Sequence, residues 1–84
     1  MTRVVLYTLS TCPWCKKTKR FLSEHNVDYS YVDYDLASPD EQERIAAEII
    51  ATTGSGVSFP YAVIGDAVVV GYNPDRYSEL LGIR

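Results

Sequence analysis

The feature that most constrains this chain is a pair of cysteines where a strand-like segment gives way to a helical one. Val4 to Tyr7 is an apolar run of strand length, and Lys16 to His25 has helical character. The only two cysteines of the sequence, Cys12 and Cys15, lie between these segments. Residues at this spacing are neighbours on a helix, close enough for their sulfurs to form a disulfide without backbone movement. The pattern predicts a redox-active pair.

The position of Cys12 predicts a reactive thiolate. We expect Cys12 in the first turn of a helix, where free N–H groups and the positive end of the dipole favour an anion. Such a position lowers the pKa of a thiol and so increases the thiolate, which is the attacking species in disulfide exchange. Cys15, one turn further along and on the inner side, suits a resolving role. Pro13 fits here because an early helical position has no N–H partner to lose.

Length and composition indicate one globular domain over residues 1–84. With 46% apolar residues, the chain is ordinary for a folded domain and disorder is not expected. No apolar run approaches the length of a membrane span, and Met1-Thr2-Arg3 leads into a strand rather than a signal peptide. A single Cys-x-x-Cys is not the disulfide framework of a small secreted domain. We therefore expect a cytoplasmic monomer that does not associate with membranes.

The charge distribution permits two interpretations. A net charge of −3 argues against nucleic acid as a partner. Four of the eight basic residues nevertheless flank the cysteine pair, and most of the acidic residues lie between positions 28 and 48. These runs are either two solvated helix faces, or a basic cluster that stabilises the thiolate and steers acidic partners towards it. The basic cluster consists of Lys16, Lys17, Lys19 and Arg20.

The middle of the chain predicts a second strand and a second helix. Tyr29 to Tyr34 alternates aromatic and polar residues, as a half-buried strand does. Ser38-Pro39-Asp40-Glu41 has the residues of a helix start, with serine at the N-cap and proline at the first helical position. The stretch from Thr52 to Gly56 is expected to be a flexible connection.

The end of the chain predicts a hairpin and a last helix. Tyr61 to Ile64 and Ala67 to Val70 flank Gly65-Asp66, which has the composition of a tight hairpin turn. Asn73-Pro74 repeats the cap-and-proline pattern. The apolar residues that follow, Tyr77, Leu80 and Leu81, predict a short helix that stops at Gly82.

The resulting order, β-α-β-α-β-β-α, predicts the topology of an α/β fold. A helical crossover joins the first two strands, so they should be parallel, whereas the last two should form an antiparallel hairpin. We therefore expect a mixed sheet of four strands flanked by three helices.

Three separated motifs make nearly the whole chain resemble the glutaredoxin family of the thioredoxin superfamily, which implies a thioredoxin-like fold. The first is a strand, a loop and a Cys-Pro-aromatic-Cys sequence. The second is a short segment with a proline immediately before a strand, and the third is a glycine-aromatic pair that precedes the final helix. In this sequence the motifs are Tyr7-Thr8-Leu9-Ser10-Thr11-Cys12-Pro13-Trp14-Cys15, Ser58-Phe59-Pro60 and Gly71-Tyr72-Asn73-Pro74-Asp75.

The resemblance implies roles for individual residues. Pro60 would follow a cis peptide bond and lie against the disulfide, and the backbone of Phe59 would pair with an extended thiol substrate as an added strand does. Gly71 would let the substrate approach the backbone closely, between Trp14 and Tyr72 as the walls of a groove. The implied catalytic residues are Cys12 and Cys15, and the implied substrate-binding residues are Pro13, Trp14, Lys16, Ser58, Phe59, Pro60, Gly71, Tyr72 and Asn73.

Two departures from the motifs of glutathione-using members indicate which subgroup of the family this chain resembles. Those members usually carry a lysine three residues before the first cysteine, where this chain has Leu9. They also tend to carry a Gly-Gly pair followed by two acids, whereas here Gly71-Tyr72-Asn73-Pro74 delays the acid to Asp75. The latter pattern is closer to the NrdH-type redoxins, which serve ribonucleotide reductase and are recharged by thioredoxin reductase. Those redoxins usually lack the proline of the Cys-x-x-Cys.

The resemblance therefore implies a dithiol redoxin that reduces disulfides in proteins such as ribonucleotide reductase. Its reductant would be an enzyme of the thioredoxin-reductase type, and no organic cofactor or metal is required. The alternative is a glutathione-dependent glutaredoxin that acts on disulfides and glutathione mixed disulfides. In that case a basic group such as Lys16 would replace the missing lysine as the partner of a carboxylate.

Two other classes of function compete with disulfide exchange. Cys12 and Cys15 have the spacing of zinc ligands, but a structural zinc site needs about four ligands, and the lone His25 lies at the far end of the helix. An iron–sulfur cluster bridged between two chains, which some glutaredoxin relatives bind, stays open as an alternative. A binding module with an idle disulfide is the third class, and no feature of the sequence supports it.

Overall fold

A computed structural model of the chain describes residues 3–83 and shows the expected order of strands and helices. Met1 and Thr2, at the segment expected to lead into the first strand, lie outside the described residues, as does Arg84. None of the helices in this range is long and apolar enough to cross a membrane. The elements are β1 (Val4–Thr8), α1 (Pro13–Glu24), β2 (Ser30–Asp33), a 3-10 turn (Tyr34–Leu36), α2 (Pro39–Thr53), β3 (Tyr61–Ile64), β4 (Ala67–Val70) and α3 (Pro74–Leu81).

The four strands form one mixed sheet in the order β2-β1-β3-β4. β1 is parallel to β2 and antiparallel to β3, and β3 and β4 form an antiparallel hairpin. The register places Val4 opposite Ile64 and Tyr7 opposite Tyr61. The topology expected from the sequence is therefore confirmed, and it places β1, the strand that leads to the cysteines, in the interior of the sheet.

The helices cover both faces of the sheet because side chains alternate along each strand. On one face, Leu22 of α1 and Tyr77 of α3 pack with strand residues such as Leu6. On the other face, Ile45 and Ile49 of α2 pack against Tyr61. This three-layer arrangement places the start of α1 and the start of α3 on the same side of the sheet.

All three helices begin with the same local device. In each, a polar side chain at the N-cap accepts a hydrogen bond from the backbone N–H three residues on, and proline occupies the next position. The pairs are Cys12 Sγ with Cys15 N at 3.3 Å, Ser38 Oγ with Glu41 N at 3.3 Å, and Asn73 Oδ1 with Arg76 N at 3.1 Å. A cysteine thus holds a position that serine and asparagine hold elsewhere in this chain.

Several expected boundaries were wrong by a few residues. Cys12 is the N-cap of α1 and not part of its first turn, and β1 extends one residue beyond the expected run, to Thr8. Tyr34 leaves the second strand because it begins the 3-10 turn, in which its carbonyl accepts from the N–H of Ala37 at 3.2 Å. α2 continues to Thr53, whose hydroxyl donates to the carbonyl of Ile49 at 2.8 Å.

Candidate active site

The two cysteines have different environments although they share one helical turn. Cys12 is half-buried at the N-cap of α1, and Cys15 is fully buried beneath it. The Cys15 sulfur accepts from the backbone N–H of Leu9 at 3.4 Å, and the N–H of Cys12 donates to the carbonyl of Leu9 at 3.2 Å. Both sulfurs are free thiols in this structure. The outer sulfur is the one that a substrate disulfide can reach.

The pKa values of the two thiols move in opposite directions. Partial burial alone would raise the pKa of the Cys12 thiol, but hydrogen bonds from the Cys15 thiol and from the N–H groups of Cys15 and Trp14 outweigh it. The net result is a Cys12 pKa below its ordinary value. Burial raises the pKa of the Cys15 thiol to about 12, despite the hydrogen bond from Leu9. The arrangement suits Cys12 for attack and keeps Cys15 protonated until it is needed.

This difference predicts the pH dependence of alkylation by iodoacetamide. We expect the rate at Cys12 to rise as the thiolate forms and to reach half its maximum at a lower pH than the rate at the same cysteine in the denatured chain. Cys15 should stay unmodified over the same range. Peptide mapping by mass spectrometry separates the two sites. Cys15→Ala removes one donor to the Cys12 sulfur, so the half-maximum of Cys12 alkylation should move to higher pH. A half-maximum at the same pH in the folded and the denatured protein would contradict the assignment.

An aromatic groove lies next to the cysteine turn. It has a volume of about 290 Å³, and Trp14, the residue between the two cysteines, forms one wall. Its ring stacks on that of Tyr72 with centroids 5.8 Å apart and is 54% exposed. The groove is lined by Trp14, Phe59, Pro60, Gly71 and Tyr72, none of which carries a charge.

The floor of the groove is backbone from two segments. The Phe59–Pro60 peptide bond is cis, as the resemblance implies. The N–H of Gly71 donates to the carbonyl of Pro60 at 2.7 Å, which joins the two segments. Gly71 has a φ of 85°, and a Cβ at this position would meet no atom within 4 Å. The backbone therefore faces open space, so an extended substrate can approach it closely.

Tyr77 is a supporting residue that the sequence pattern identified only as an apolar residue of the last helix. Its side chain is completely buried, and its hydroxyl donates to the carbonyl of Gly71 at 2.6 Å. The same hydroxyl lies 3.3 Å from the hydroxyl of Thr18, which donates to the carbonyl of Trp14 at 3.0 Å. The two hydroxyls are thus in contact between the cysteine turn and the opposite wall of the groove, and each donates its single proton to a backbone carbonyl of one side. A buried tyrosine generally requires a polar partner, but the sequence does not say which one.

Two aspartates hold the connection between β1 and α1, and sequence reasoning missed both. The N–H of Ser10 donates to one carboxylate oxygen of Asp35 at 2.8 Å and its hydroxyl donates to the other, which together lower the pKa of Asp35. Asp33 accepts from the Thr8 hydroxyl at 2.6 Å and from Lys19 Nζ at 3.0 Å. The loop before Cys12 is therefore fixed from the 3-10 turn and from the end of β2.

The remaining residues with an implied substrate-binding role lie outside the groove lining. Pro13 is exposed at the first position of α1, Lys16 is exposed on the same helix, and Ser58 is exposed before Phe59. Asn73 caps α3 through its side-chain oxygen. Their roles in substrate binding, like those of the groove residues, stay predictions.

The structure also shows the surroundings of the residues considered as metal ligands. Over residues 3–83, no three histidine, cysteine, aspartate or glutamate side chains form a group that could hold a metal ion. His25 follows the last residue of α1, and its ring packs on Phe21 with centroids 4.4 Å apart.

Comparisons with known proteins agree with this geometry. The family model described as glutaredoxin matches residues 4–69. A glutaredoxin-like 8.6 kDa protein encoded in a rubredoxin operon of Clostridium pasteurianum is 36% identical over 78 residues, which cover 93% of this chain and 96% of the relative. Methanoredoxin from Methanosarcina acetivorans superimposes with a TM-score of 0.89 at 36% identity, covering 96% of this chain and 85% of methanoredoxin. The glutaredoxin-like protein NrdH-redoxin of Escherichia coli, whose structure explains a thioredoxin-like activity profile, superimposes with a TM-score of 0.73 at 26% identity, covering 93% of each chain.

Proposed function

The chain belongs to the glutaredoxin family, whose members are thiol–disulfide oxidoreductases, and from that premise we propose that it is a dithiol redoxin that reduces disulfides within proteins. The observation that carries this proposal is the uncharged lining of the groove beside Cys12. Glutathione carries carboxylates and an ammonium group, which bind best to charged or fixed polar partners. A polypeptide segment offers backbone groups and apolar side chains, which suit exposed backbone between aromatic walls.

The proposed reaction uses both sulfurs in sequence. The Cys12 thiolate attacks one sulfur of the substrate disulfide, forming a mixed disulfide and releasing the other sulfur as a thiolate that takes a proton from water. Cys15 then gives its proton to water and attacks Cys12 Sγ. The second substrate sulfur leaves as a thiolate that takes a proton from water, and Cys12 and Cys15 are left joined by a disulfide. Two electrons pass from the dithiol to the substrate, so the exchange itself requires no organic cofactor or metal.

The proposed reductant is an enzyme of the thioredoxin-reductase type. Leu9 stands where glutathione-using members usually carry a lysine, and the groove supplies no charged side chain in its place. Similarity to Escherichia coli NrdH-redoxin, with its thioredoxin-like activity profile, supports the same choice. We propose protein substrates such as ribonucleotide reductase, and a monomer that works in the cytoplasm, where thiol systems keep such a pair reduced.

A glutathione-dependent activity is the second candidate. Lys17 Nζ lies 4.7 Å from the centroid of the Trp14 ring, at the edge of the groove, and Lys16 is exposed on the same helix. Either ammonium group could meet a carboxylate of glutathione and so replace the lysine that is missing at Leu9.

The fluorescence of Trp14, the only tryptophan, distinguishes the two reductants because its ring is adjacent to the cysteine turn. The oxidised protein is mixed with NADPH and either thioredoxin reductase or glutathione plus glutathione reductase. We expect fast reduction by thioredoxin reductase and slow reduction by glutathione. Leu9→Lys serves as a matched variant that should accelerate only the glutathione reaction. Fast reduction of the unmodified chain by glutathione alone would establish the second candidate instead.

A further inference from the structure

A second concavity lies next to the aromatic groove, along α1, and its chemistry differs from that of the groove. It has a volume of about 270 Å³ and is lined by Lys17, Arg20, Phe21, Glu24 and Tyr72. We propose that this concavity binds an acidic side chain of the partner polypeptide whose disulfide is reduced at Cys12. This inference rests on the proposed function, since it names the partner class of the same site.

The two concavities are adjacent, because Tyr72 lines both of them. One side of this residue stacks on Trp14 in the groove, and Tyr72 also lines the second concavity. Lys17 connects the same two features, since its ammonium lies over the Trp14 ring while its side chain lines the second concavity. A polypeptide that occupies the groove and continues past Tyr72 therefore reaches the basic residues of α1.

The two cations in this concavity have no ion-pair partner within the described part of the chain. The ion pairs recorded over residues 3–83 join Lys19 to Asp33, Arg44 to Glu41 and Arg76 to Glu79. Glu24, the acidic member of the lining, is in none of them. The concavity therefore offers two cations that are in no ion pair among the described residues, of which Lys17 lies over the Trp14 ring.

The position of these cations on the helix supports a role in recognition. Lys17 lies in the first half of α1 and Arg20 in the second, and the last turn of α1 has no basic residue. Helix electrostatics stabilise cations in the last turn, so neither of these two cations is placed where the dipole would stabilise α1. Charge complementarity indicates a carboxylate as the occupant, with its methylene groups on Phe21 and Tyr72.

Three disulfide-containing peptides of one length test the proposal, with Glu-Glu, Gln-Gln or Lys-Lys beside the disulfide. At low salt we expect kcat/KM in the order Glu-Glu, Gln-Gln, Lys-Lys, with about tenfold between the first two and a smaller ratio at high salt. The double variant Lys17→Glu, Arg20→Glu should reverse the order. Arg44→Glu, on α2 and outside this surface, should keep it.

The outcomes separate this proposal from its alternatives. Equal rates for all three peptides would overturn it, as would a double variant that slows all peptides by the same factor, because that result indicates an effect on the Cys12 thiolate alone.

A Glu-Glu peptide with serine for cysteine, titrated into the Cys12→Ser, Cys15→Ser protein, should shift the NMR signals of Lys17 and Arg20 more than its Gln-Gln counterpart. If these NMR shifts occur but the protein with both cysteines does not reduce the disulfide peptides, the oxidoreductase proposal is contradicted and the acidic subsite is retained. If the shifts do not occur, the subsite is overturned. Glutathione that shifts the same signals and competes with the Glu-Glu peptide would overturn the choice of a polypeptide as the occupant.

Discussion

Cys12→Ser will reduce disulfide exchange to the uncatalysed rate, whereas Cys15→Ser will accumulate a mixed disulfide with the substrate. Cys12 is the sulfur at the surface, with a pKa below its ordinary value, and Cys15 is the completely buried sulfur beneath it. A serine at position 12 does not form a thiolate, so the first attack fails. A serine at position 15 leaves the first attack intact and removes the nucleophile that resolves its product.

Intact-mass spectrometry under non-reducing conditions checks both halves of this result. The Cys15→Ser protein should gain the mass of the substrate and return to its own mass with dithiothreitol, and the Cys12→Ser protein should gain nothing. Thermal unfolding of both variants shows whether the fold is kept, which matters because Cys15 packs in the interior. Turnover by the Cys12→Ser protein would refute the mechanism.

Tyr77→Phe will weaken both the fold and the groove. The substitution keeps the buried ring and removes a hydroxyl that donates to the Gly71 carbonyl at 2.6 Å and lies 3.3 Å from the Thr18 hydroxyl. Gly71 is only partly buried, so the loss of this hydrogen bond should cost about 0.5–1.5 kcal/mol in the free energy of unfolding. Because Gly71 also bonds to Pro60, we expect KM for a peptide disulfide to rise while kcat changes little.

Tyr29→Phe is the matched control for this variant. The hydroxyl of Tyr29 donates to the carbonyl of Lys19 at 3.4 Å, a longer bond between two residues that do not line the groove. Its removal should leave the peptide KM unchanged and cost less in the free energy of unfolding than the loss of the Tyr77 hydroxyl. Denaturant unfolding and peptide kinetics on both variants provide the comparison. Equal peptide KM values for the two variants would show that Tyr77 does not position Gly71.

Local patterns predicted the elements of this fold because each one starts and stops at residues with strong backbone preferences. Ser38-Pro39 and Asn73-Pro74 predicted two helix starts. In the structure Ser38 and Asn73 are the N-caps, and each proline is the first residue of its helix. The pairing of strands followed from the crossover and the hairpin, which the element order determines. The assignment of Tyr34 to the second strand was wrong. The alternation of aromatic and polar residues in the sequence continues to Tyr34, although this residue begins the 3-10 turn.

The support of the site could not be predicted because it depends on residues that are distant in the sequence. Asp33 and Asp35 resembled ordinary surface acids, yet they hold Thr8 and Ser10 through bonds that only the sheet brings together. Tyr77 looked like one more apolar residue of a short helix. No local pattern distinguishes a tyrosine that packs from one whose hydroxyl joins two walls of a groove.

The position of β1 in the sheet determines when the site becomes complete during synthesis. β1 is the first strand along the chain, yet Val4 pairs with Ile64, and this contact forms only after β3 has been made. The turn that activates Cys12 depends on neighbouring residues in the sequence and can form early. Phe59, Pro60 and Gly71, which line the groove, come later. A nascent chain therefore carries a reactive sulfur before it carries the surface that selects substrates for it.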